Sequence, residues 1–580
     1  MNCVNGAKKK MDRFFHILGR TFNIESRIGR YILAVLSGIL LVAGFPEINL
    51  WSLSWFALVP LLVAIHKATW KESLWLGFVA GCVYFFGIMN WLMILVPFST
   101  IFWVTLGYVV LSSYLACYVF LFTVSVNLVT GYWRRHYPEE SSTQKLAYIL
   151  LVAIAWTGSE VLRGYIVSGL PWANLGYTQW HILPVIQIAS FAGAYAVTFL
   201  IAMINGAIAV FVIDLQGWKI SLKSSIVPFA VLIVCLIYGW VSMSSTTDVK
   251  KIKVGLVPGN IKQKDKMDSW GDKAGWIFDK YVQATQLAAD EKPDLLVWPE
   301  TAVPQFIFPK SAELDRLTFL LSRWNTYMLM GAISYENDYP DWKVYNSAFM
   351  LNPKGEVIDK YDKIHLVPVS ESFPFKRYLP KKWQAYVTGT SDFDSGSRYT
   401  VFNSPLANIG VPICFESVFP QISRKFIQGG ANVIGIITND SWFIGTFAAQ
   451  QHFSMAPFRA VENRVSVFRC ANYGVSCIID PYGRVTKKLE PENGEDYLVG
   501  DVGIYPAGTF YTKHGDYFPW TCLAVLLFFI FQQWWYNYVK FVSQQGGSNV
   551  RRDQLQNTGS KKQGPGGRRA SLTPKTKKKK

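Results

Sequence analysis

The sequence predicts a protein in two parts, an α-helical membrane domain and a layered α/β domain. Two observations support this prediction: about eight apolar stretches are long enough to cross a bilayer, and residues 245–517 alternate short β-rich runs with helical patterns. The composition agrees, because 51% of the 580 residues are hydrophobic and only 17% are charged, which is apolar-rich beside an average soluble protein. A chain of this length also exceeds what one hydrophobic core normally contains.

The net charge of +18 is confined to the flanks of the apolar stretches. Residues 245–517 carry 30 Lys+Arg and 30 Asp+Glu, so of the 57 basic and 39 acidic residues the other segments hold 27 and 9. An even spread of basic charge would have indicated a nucleic-acid partner. Charge beside apolar segments instead indicates membrane topology, and no nucleic-acid partner is expected.

The candidate spans follow one another along the chain. A spanning helix needs about 20 mostly apolar residues, and such segments lie near 31–47, 51–66, 74–96, 102–129, 147–166, 185–213, 226–244 and 518–542. The first two are short and joined by the turn Phe45-Pro46-Glu47, so a single re-entrant pair is the alternative to two separate spans. The prediction is a membrane domain of about seven spans over residues 31–244, with one more span at 518–542.

The loops between the spans differ in positive charge. Basic residues cluster before the first span and after the second, fourth and sixth, at Lys8, Lys9, Lys10, Arg13, Arg20, Arg27, Arg30, Lys67, Lys71, Arg134, Arg135, Lys145, Lys219 and Lys223. The loops that contain neither Lys nor Arg are those near 47–51, 97–101 and 167–184. Because basic loops stay in the cytoplasm, we expect residues 1–30 and the tail 543–580 inside and residues 245–517 on the outer face.

Neither terminal segment is expected to be part of a folded domain. Residues 1–30 are basic and polar, without the short apolar run and cleavage site of a signal peptide. The tail 543–580 is rich in Gly, Gln, Ser, Lys and Arg, a composition that favours disorder.

One pair of opposite charges falls inside a predicted span. Glu160 and Arg163 are three residues apart and therefore share a helix face. Charge at membrane depth is unfavourable and is usually paired or functional, so the pair is interpreted either as a structural ion pair or as a polar wall for a lipid headgroup. Trp172 lies in the following loop, which is expected at the outer interface where aromatic side chains settle.

The soluble block shows the alternation of a layered α/β domain. Strand-like runs are Lys253–Pro258, Asp294–Trp298, Tyr327–Ile333, Ala348–Leu351, Asn408–Cys414, Asn432–Thr438, Ser466–Ala471 and Ser476–Ile479. Helix-like runs lie near 274–291, 311–325, 418–429 and 449–464.

Three polar residues close or follow apolar strands: Glu300, Cys414 and Asn439. Open α/β sheets place their ligand sites at strand ends. The run that ends at Cys414 is followed by a helical pattern, and such an elbow exposes a nucleophile and directs backbone N–H groups at a developing oxyanion.

The residue types suggest thiol chemistry. Cys414 attacks as a thiolate, which needs a base or nearby positive charge. Glu300 is suited to take the thiol proton, Lys363 to supply charge at the oxyanion, and Glu371 to orient that lysine. The alternative for a single buried cysteine is inert packing.

The chain resembles a known family over about residues 30–540. Three segments resemble the Glu-Lys-Cys triad of the nitrilase superfamily: Trp298-Pro299-Glu300, Asp362-Lys363-Ile364-His365-Leu366-Val367-Pro368 and Ile413-Cys414-Phe415-Glu416. Together with the spans, they resemble the apolipoprotein N-acyltransferases. Further matching segments are Glu371, Asn439-Asp440-Ser441-Trp442-Phe443, Gln451-His452, Arg459–Arg464, Arg469–Gly474 and the stretch from Glu160 through Arg163 to Trp172.

The resemblance implies a fold and a reaction. The fold is an α-β-β-α sandwich beside the membrane domain, with Phe415, Glu416, Asn439 and Trp442 as residues that support the triad. The reaction takes an acyl chain from a phospholipid onto Cys414 and passes it to the α-amino group of a lipoprotein's diacylglyceryl-cysteine, at a bacterial inner membrane. No cofactor or metal is implied, and the sequence has no cluster with metal-ligand spacing. Ser370, Phe415 and Ile444 depart from the commoner family residues.

Three questions stay open at this stage. A membrane-tethered nitrilase-type hydrolase that gives the acyl group to water needs the same triad, and a non-catalytic scaffold is a further alternative. A disulfide between Cys470 and Cys477 is conceivable in an oxidising compartment, but their spacing does not establish it. The aromatic runs 373–379 and 442–447 are expected either to shield an acyl-enzyme from water or to pack in a core.

Overall fold

The computed structural model describes residues 26–46, 48–136, 141–214, 217–244, 248–268, 272–303, 311–336, 342–372, 380, 393–491 and 494–559, with only the backbone for 272–274 and 543–559. The chain forms two compact units, Met1–Leu526 and Leu527–Lys580. The first unit contains both the helical region and the α/β domain.

The helical region precedes residue 245. Its helices are α1 (Arg27–Ala43), α2 (Val59–Ile65), α3 (Trp70–Ile88), α4 (Ile101–His136), α5 (Ser142–Tyr165), α6 (Ala194–Ile213) and α7 (Trp218–Met243). Short helical turns lie between them at Trp51–Trp55, Asn90–Phe98, Leu175–Gln179, Leu183–Ile186 and Ala189–Ala192. Side-chain caps fix several starts: Ser26 accepts from Gly29 N, and Ser141 forms a capping box with Gln144.

Among the described residues, six helices are long and apolar enough to cross a membrane. They are α3 to α7 and the segment Tyr517–Val542. The first expected span is the 17-residue α1, while the second consists of a helical turn and the seven-residue α2. Seven residues extend about 10 Å, far short of a bilayer core of about 30 Å. The helix α2 alone therefore does not form the expected second span, because Pro60 starts a new helix inside the apolar run.

Small residues let α3 and α4 approach closely. A Cβ added to Gly77 would lie 2.8 Å from Phe120 Cα, and one added to Gly81 would lie 2.8 Å from Ala116 Cα. In a membrane, where hydrophobic burial adds little to helix association, this close backbone packing is a main source of stability.

The α/β domain contains two six-stranded sheets. Its strands are β1 (Lys251–Leu256), β2 (Leu295–Val297), β3 (Tyr327–Glu336), β4 (Lys343–Leu351), β5 (Val357–Asp362), β6 (Val401–Asn403), β7 (Asn408–Gly410), β8 (Val433–Asn439), β9 (Ser466–Asn472), β10 (Ser476–Ile479), β11 (Val485–Leu489) and β12 (Leu498–Gly503). The strand orders are β12-β1-β2-β3-β4-β5 and β11-β10-β9-β8-β7-β6. In each sheet three central strands are parallel: β1, β2 and β3 in one, and β7, β8 and β9 in the other.

Helices cover the sheets as the fold class requires. Helices of this domain include α8 (Asp272–Ala289), α9 (Ala312–Trp324), α10 (Pro420–Gln428), α11 (Ala448–Phe453), α12 (Ala456–Asn463) and α13 (Phe510–His514), and a further short helix spans Gln263–Met267. α8 contacts β1 and β2, whereas α10 contacts β7 and α12 contacts β9. The two sheets meet through contacts of β12 with β9 and β10, which confirms the α-β-β-α sandwich.

The helical region and the sandwich share a buried polar interface. Glu462 accepts a hydrogen bond from the backbone N–H of Ala194 at 3.0 Å, and Arg459 donates to the Tyr177 hydroxyl at 3.1 Å. Arg459 and Glu462 also form an ion pair at 3.0 Å, with neither side chain exposed. Because unpaired buried charge is strongly unfavourable, these bonds fix how the sandwich sits on the helices.

The last helix, α14, spans Tyr517–Gly559. It begins one residue before the predicted span 518–542 and continues 17 residues past position 542, so the first part of the expected disordered tail is helical. Extending an existing helix adds one hydrogen bond for each residue fixed, which favours continuation into the polar sequence. Residues 1–25 and 560–580 lie outside the described residues.

Candidate active site

Four strand ends meet at one edge of the sandwich and carry polar side chains. Glu300 follows β2, Lys363 follows β5, Cys414 follows β7, and Asn439 closes β8. Glu300 and Lys363 are 5% and 1% exposed, so the site is largely withdrawn from water. The sequence placed Glu300, Cys414 and Asn439 at strand ends, and the structure confirms those positions.

Lys363 lies between two carboxylates. Its Nζ is 3.2 Å from Glu300 Oε1 and 2.9 Å from Glu371 Oε1. Burial alone would lower the pKa of Lys363, but the two carboxylates raise it well above its ordinary value. Lys363 is therefore a permanent cation, and Glu371 holds its ammonium in place.

Asn346 on β4 bridges the same two carboxylates. Its Nδ2 donates to Glu300 Oε1 at 2.7 Å and to Glu371 Oε1 at 3.1 Å. The other oxygen of Glu300 accepts from the backbone N–H of Asn439 at 2.9 Å. Together with Lys363, these bonds fix the orientation of the Glu300 carboxylate.

The Glu300 carboxylate is poised as a base. Burial alone would raise its pKa, but the Lys363 ammonium and hydrogen bonds with Asn346 and Cys414 outweigh burial and lower the pKa below its ordinary value. Glu300 is thus ionised at neutral pH and bonded to the thiol whose proton it would take.

Cys414 sits on a strained elbow. Its backbone φ is +52°, a left-handed conformation that non-glycine residues rarely adopt, and it begins the helical turn Cys414–Val418. Burial, and then the nearby Glu300 carboxylate, raise the pKa of the Cys414 thiol above its ordinary value. The Cys414 thiol is therefore neutral at rest and would have to lose its proton to act as a nucleophile.

Glu416 ties the lysine strand to the cysteine elbow. Its Oε1 accepts from Tyr361 Oη at 2.8 Å and from the backbone N–H groups of Ile364 and His365 at 2.8 and 3.0 Å. Its Oε2 accepts from Ile413 N at 2.8 Å. A single buried carboxylate thereby joins the segments on either side of Lys363 and Cys414.

Asn439 belongs to a buried amide network. Its Nδ2 donates to Gln263 Oε1 at 2.9 Å, and its Oδ1 accepts from Ser441 at 2.6 Å and from Asn472 at 2.8 Å. With both ends of the side chain held, the backbone N–H of Asn439 stays directed at Glu300. The predicted supporting role thus acts through the backbone of Asn439.

Aromatic rings line the side of the site that faces the helical region. The Trp442 ring packs 5.2 Å from Phe98, and the Phe443 ring packs 4.8 Å from Trp91. Phe98 and Trp91 belong to the turn that precedes α4. Phe415, beside the nucleophile, packs 5.0 Å from Phe419 within its own domain.

Comparison with known proteins identifies the family. The chain is 36% identical over 504 residues to an apolipoprotein N-acyltransferase of Geobacter metallireducens, covering 85% of this chain and 93% of that protein. The chain belongs to the apolipoprotein N-acyltransferase family. A relative of the same name in Chlorobaculum tepidum is 27% identical over 530 residues, covering 85% of this chain and 95% of that one.

The two parts of the chain match separate families of domains. Residues 37–207 match the apolipoprotein N-acyltransferase N-terminal domain, and residues 261–504 match the carbon-nitrogen hydrolase domain. Among solved structures, Saccharomyces cerevisiae Nit3 of the nitrilase superfamily is 21% identical, with a TM-score of 0.35, covering 45% of this chain and 93% of that one. Membership of the apolipoprotein N-acyltransferase family makes the chain an enzyme and a membrane protein, as the sequence predicted.

Glu160 and Arg163 make their hydrogen bonds within the helical region. Glu160 accepts from Trp156 Nε1, Leu175 N and Thr198 Oγ1 at 2.7–3.0 Å, and its nearest oxygen is 3.8 Å from Arg163. Protein donors therefore occupy both oxygens of the buried Glu160 carboxylate. The geometry favours a structural pair over a wall for a lipid headgroup.

Trp172 also differs from its expected surroundings. Its indole Nε1 donates to Gln451 Oε1 at 2.8 Å, and its ring packs 5.6 Å from the ring of His452. Trp172 thus connects the helical region to the α/β domain. Cys470 and Cys477 are buried free thiols, so the conceivable disulfide is not formed.

Some site residues had only a weak signal in the sequence. Asn346 and Ser347 are a buried polar pair directly before the apolar run Ala348–Leu351 of β4, and that pair was the one available clue. Within the described residues, no group of three His, Cys, Asp or Glu side chains could hold a metal ion. The aromatic run 373–379, including Phe373 and Phe375, lies outside the described residues.

Proposed function

We propose that this enzyme transfers an acyl chain from a phospholipid to the α-amino group of the N-terminal diacylglyceryl-cysteine of lipoproteins, through a thioester on Cys414. The observation that carries the proposal is the buried cluster in which Glu300 bonds both Cys414 and Lys363. A membrane-embedded chain of this family brings that cluster to substrates that are themselves held in lipid.

The first half-reaction loads the enzyme. Glu300 takes the proton of the Cys414 thiol while the sulfur attacks the ester carbonyl of the phospholipid. The Lys363 ammonium stabilises the resulting oxyanion. The C–O bond then breaks, the departing lysophospholipid oxygen takes the proton from Glu300, and an acyl thioester remains on Cys414.

The second half-reaction passes the acyl chain from Cys414 to the lipoprotein. The α-amino group of the lipoprotein attacks the thioester carbonyl, again with Lys363 beside the oxyanion. The amine gives a proton to Glu300, the C–S bond breaks, and that proton returns to the Cys414 sulfur. One base and one cation thereby serve both steps, and an amide replaces an ester without any co-reactant.

The same proposal places the enzyme in the bacterial inner membrane with its α/β domain on the outer face. The support is the absence of Lys and Arg from alternate loops and their abundance in the others. Both termini are then cytoplasmic, and the α/β domain lies on the side where lipoproteins emerge from export.

The direct test is mass spectrometry of the purified protein after incubation with phospholipid. The expected result is an acyl adduct on the peptide that contains Cys414, lost in Cys414→Ser because a hydroxyl at its normal pKa is a far poorer nucleophile. Cys477→Ser is the matched control, since Cys477 is another free thiol of the same domain, and it should keep the adduct. An adduct that survives Cys414→Ser would assign the chemistry to another residue.

A further inference from the structure

A buried series of hydrogen-bonded polar side chains reaches the backbone of Cys414. Arg469 Nη2 donates to Asp440 Oδ2 at 2.6 Å, and Asp440 Oδ1 lies 3.1 Å from His452 Nδ1. His452 Nε2 lies 2.8 Å from Ser417 Oγ, which in turn donates to the backbone carbonyl of Cys414 at 2.8 Å. None of these four side chains is more than 5% exposed.

The direction of these hydrogen bonds follows from the hydroxyl. Ser417 has a single O–H, and its bond to the Cys414 carbonyl uses that proton. With that proton on the carbonyl, the Ser417 oxygen accepts from Nε2 of His452 in the tautomer that carries a proton there. Asp440 and Arg469 contact the opposite nitrogen, Nδ1, and thereby fix the orientation of the ring.

This series of hydrogen bonds ends at Cys414, a strained position of the fold. A hydroxyl that bonds the carbonyl three residues earlier is common in helical turns, and alone it would carry no functional inference. Here that carbonyl belongs to Cys414, whose left-handed φ of +52° persists only where surrounding groups enforce it. The imidazole that holds Ser417 also packs against Trp172 of the helical region.

We propose that Ser417 and His452 are positioning residues for the nucleophile, holding the Cys414 backbone so that its thiol stays bonded to Glu300. The proposal rests on the proposed function of Cys414 as the acylated residue. It assigns no proton transfer to His452; the imidazole acts through Ser417, and Asp440 with Arg469 acts through the imidazole. Loss of the Ser417 hydroxyl frees the elbow and separates the thiol from its base.

The test uses full-length Ser417→Ala, Ser417→Thr and His452→Phe in detergent. Iodoacetamide alkylation of Cys414, followed by peptide mass spectrometry, reports the thiol without any acyl chemistry. In the unmodified protein, where Glu300 is held beside the thiol, the alkylation rate should change little between about pH 6 and 8, since the base is already ionised. In Ser417→Ala and His452→Phe it should rise about tenfold per pH unit, as the thiolate fraction of an unassisted thiol does.

Acyl loading gives the second readout. Ser417→Ala should lower kcat for adduct formation about 100-fold, the scale of a small misplacement of a reacting group, with KM for phospholipid unchanged. Ser417→Thr keeps a hydroxyl and should retain both the flat alkylation profile and the loading rate. Thermal unfolding of each variant identifies any that lose the fold, and Ser417→Thr against Ser417→Ala then carries the comparison.

Ser466→Ala is the matched control. Ser466 also donates a buried hydroxyl to a backbone carbonyl, that of Gly503 at 2.7 Å, but away from the elbow. It should leave alkylation and loading as in the unmodified protein. A folded Ser417→Ala protein with a flat profile and normal kcat would overturn the positioning role, as would an equal loss in Ser466→Ala. Failure of the acyl-transfer proposal shows differently, as absence of any adduct alongside intact alkylation profiles.

Discussion

At the scale of single residues, one hydrogen bond links the Cys414 thiol to the Glu300 carboxylate that would take its proton. Burial raises the pKa of the Cys414 thiol, while Lys363 and its neighbours lower the pKa of Glu300 despite burial. A preformed thiolate is therefore unfavourable in the resting enzyme, and transfer to Glu300 must accompany attack. This arrangement keeps the thiol unreactive until a carbonyl carbon is in place.

Glu300→Gln should change how loading depends on pH. In the unmodified enzyme the base is ionised from below its ordinary pKa of about 4.3 upward, so loading should be flat through neutral pH. The glutamine cannot take a proton, and residual loading must await a thiolate whose pKa burial keeps high. We expect a loss of roughly 10²–10⁴ at pH 7, with the remaining rate rising from pH 7 to 9. A flat profile in Glu300→Gln would assign the base elsewhere.

Lys363→Arg should not restore activity. The ammonium of Lys363 contacts two carboxylates from one point, and a planar guanidinium cannot reproduce that geometry in a site that is 1% exposed. Loss of one oxyanion donor typically lowers the rate about 10²–10³-fold, and the single-turnover loading rate measures it. Normal loading in Lys363→Arg would reduce this residue to a simple counter-ion.

The clustering of Glu300, Lys363 and Cys414 could be foreseen because each of them stands beside a recognisable apolar strand or motif. Asn346 could not, because the predicted strand began at Ala348 and left this polar residue outside it, whereas β4 begins at Lys343. The Asp440–His452 contact joins residues 12 positions apart across a strand end and a helix. No local pattern reports such a contact, since it depends on how the elements pack.

At the scale of elements, the strands that the sequence missed share one property. β12 and β5 are the edges of one sheet, and β11 and β6 are the edges of the other. Edge strands are half-exposed and carry charged side chains, as Val357–Asp362 and Val485–Leu489 do. Hydrophobic periodicity therefore found the central strands and lost the edges, including the strand that positions Lys363.

The prediction of one continuous helix near 449–464 was also wrong. The structure has two helices there, Ala448–Phe453 and Ala456–Asn463, separated by two residues. Pro457 accounts for the break, since it lies in the first turn of the second helix, where its missing N–H costs nothing. The interruption places Gln451 and His452 on a separate element that contacts Trp172.

Glu416→Gln should loosen the join between the two elements that carry Lys363 and Cys414. An amide can accept the bonds from Tyr361, Ile364 and His365, but its NH₂ group then faces the N–H of Ile413. A buried donor left without an acceptor costs about 1–3 kcal/mol, so the thermal unfolding midpoint should fall together with the loading rate. The exposed Glu291→Gln is the control. An unchanged midpoint and rate would contradict this role.

At the scale of the whole molecule, the topology is insensitive to the uncertain first spans. The candidate spans α3 to α7 form an odd number between the basic residues Lys67 and Lys71 and the α/β domain. Whether residues 27–65 cross twice or form a re-entrant pair, they return to the side from which they started. The α/β domain is expected opposite the basic loops in either case.

Reporter fusions test this topology. A phosphatase fused at about residue 350 should be active, because this reporter is active only in the outer compartment. A fluorescent protein fused at the C-terminus should fluoresce in the cytoplasm. Fusions between α4 and α5, beside Arg134 and Arg135, should agree with the C-terminal one. Reports from the same side at position 350 and at the C-terminus would contradict the assignment.

Transfer rather than hydrolysis requires that the whole molecule protect its thioester. A thioester in an aqueous cleft would be hydrolysed, so an acyltransferase must exclude water until the amine arrives. The aromatic run 442–447 is expected to contribute to such a shield, since Trp442 and Phe443 pack on Phe98 and Trp91 of the helical region. The second run, with Phe373 and Phe375, is expected to contribute on the basis of its sequence.

We expect the acyl-Cys414 form to persist without acceptor and to be discharged by a diacylglyceryl-cysteine peptide. Phe443→Ser, alone and with Phe373→Ser and Phe375→Ser, should slow loading from phospholipid and raise the release of free fatty acid, because it opens the thioester to water. Phe319→Ser is the matched control, since that ring is 65% exposed on α9. Labelled fatty acid and labelled peptide, counted over time, measure the partition. Rapid release of fatty acid by the unmodified protein, with no effect of the acceptor, would identify a hydrolase instead.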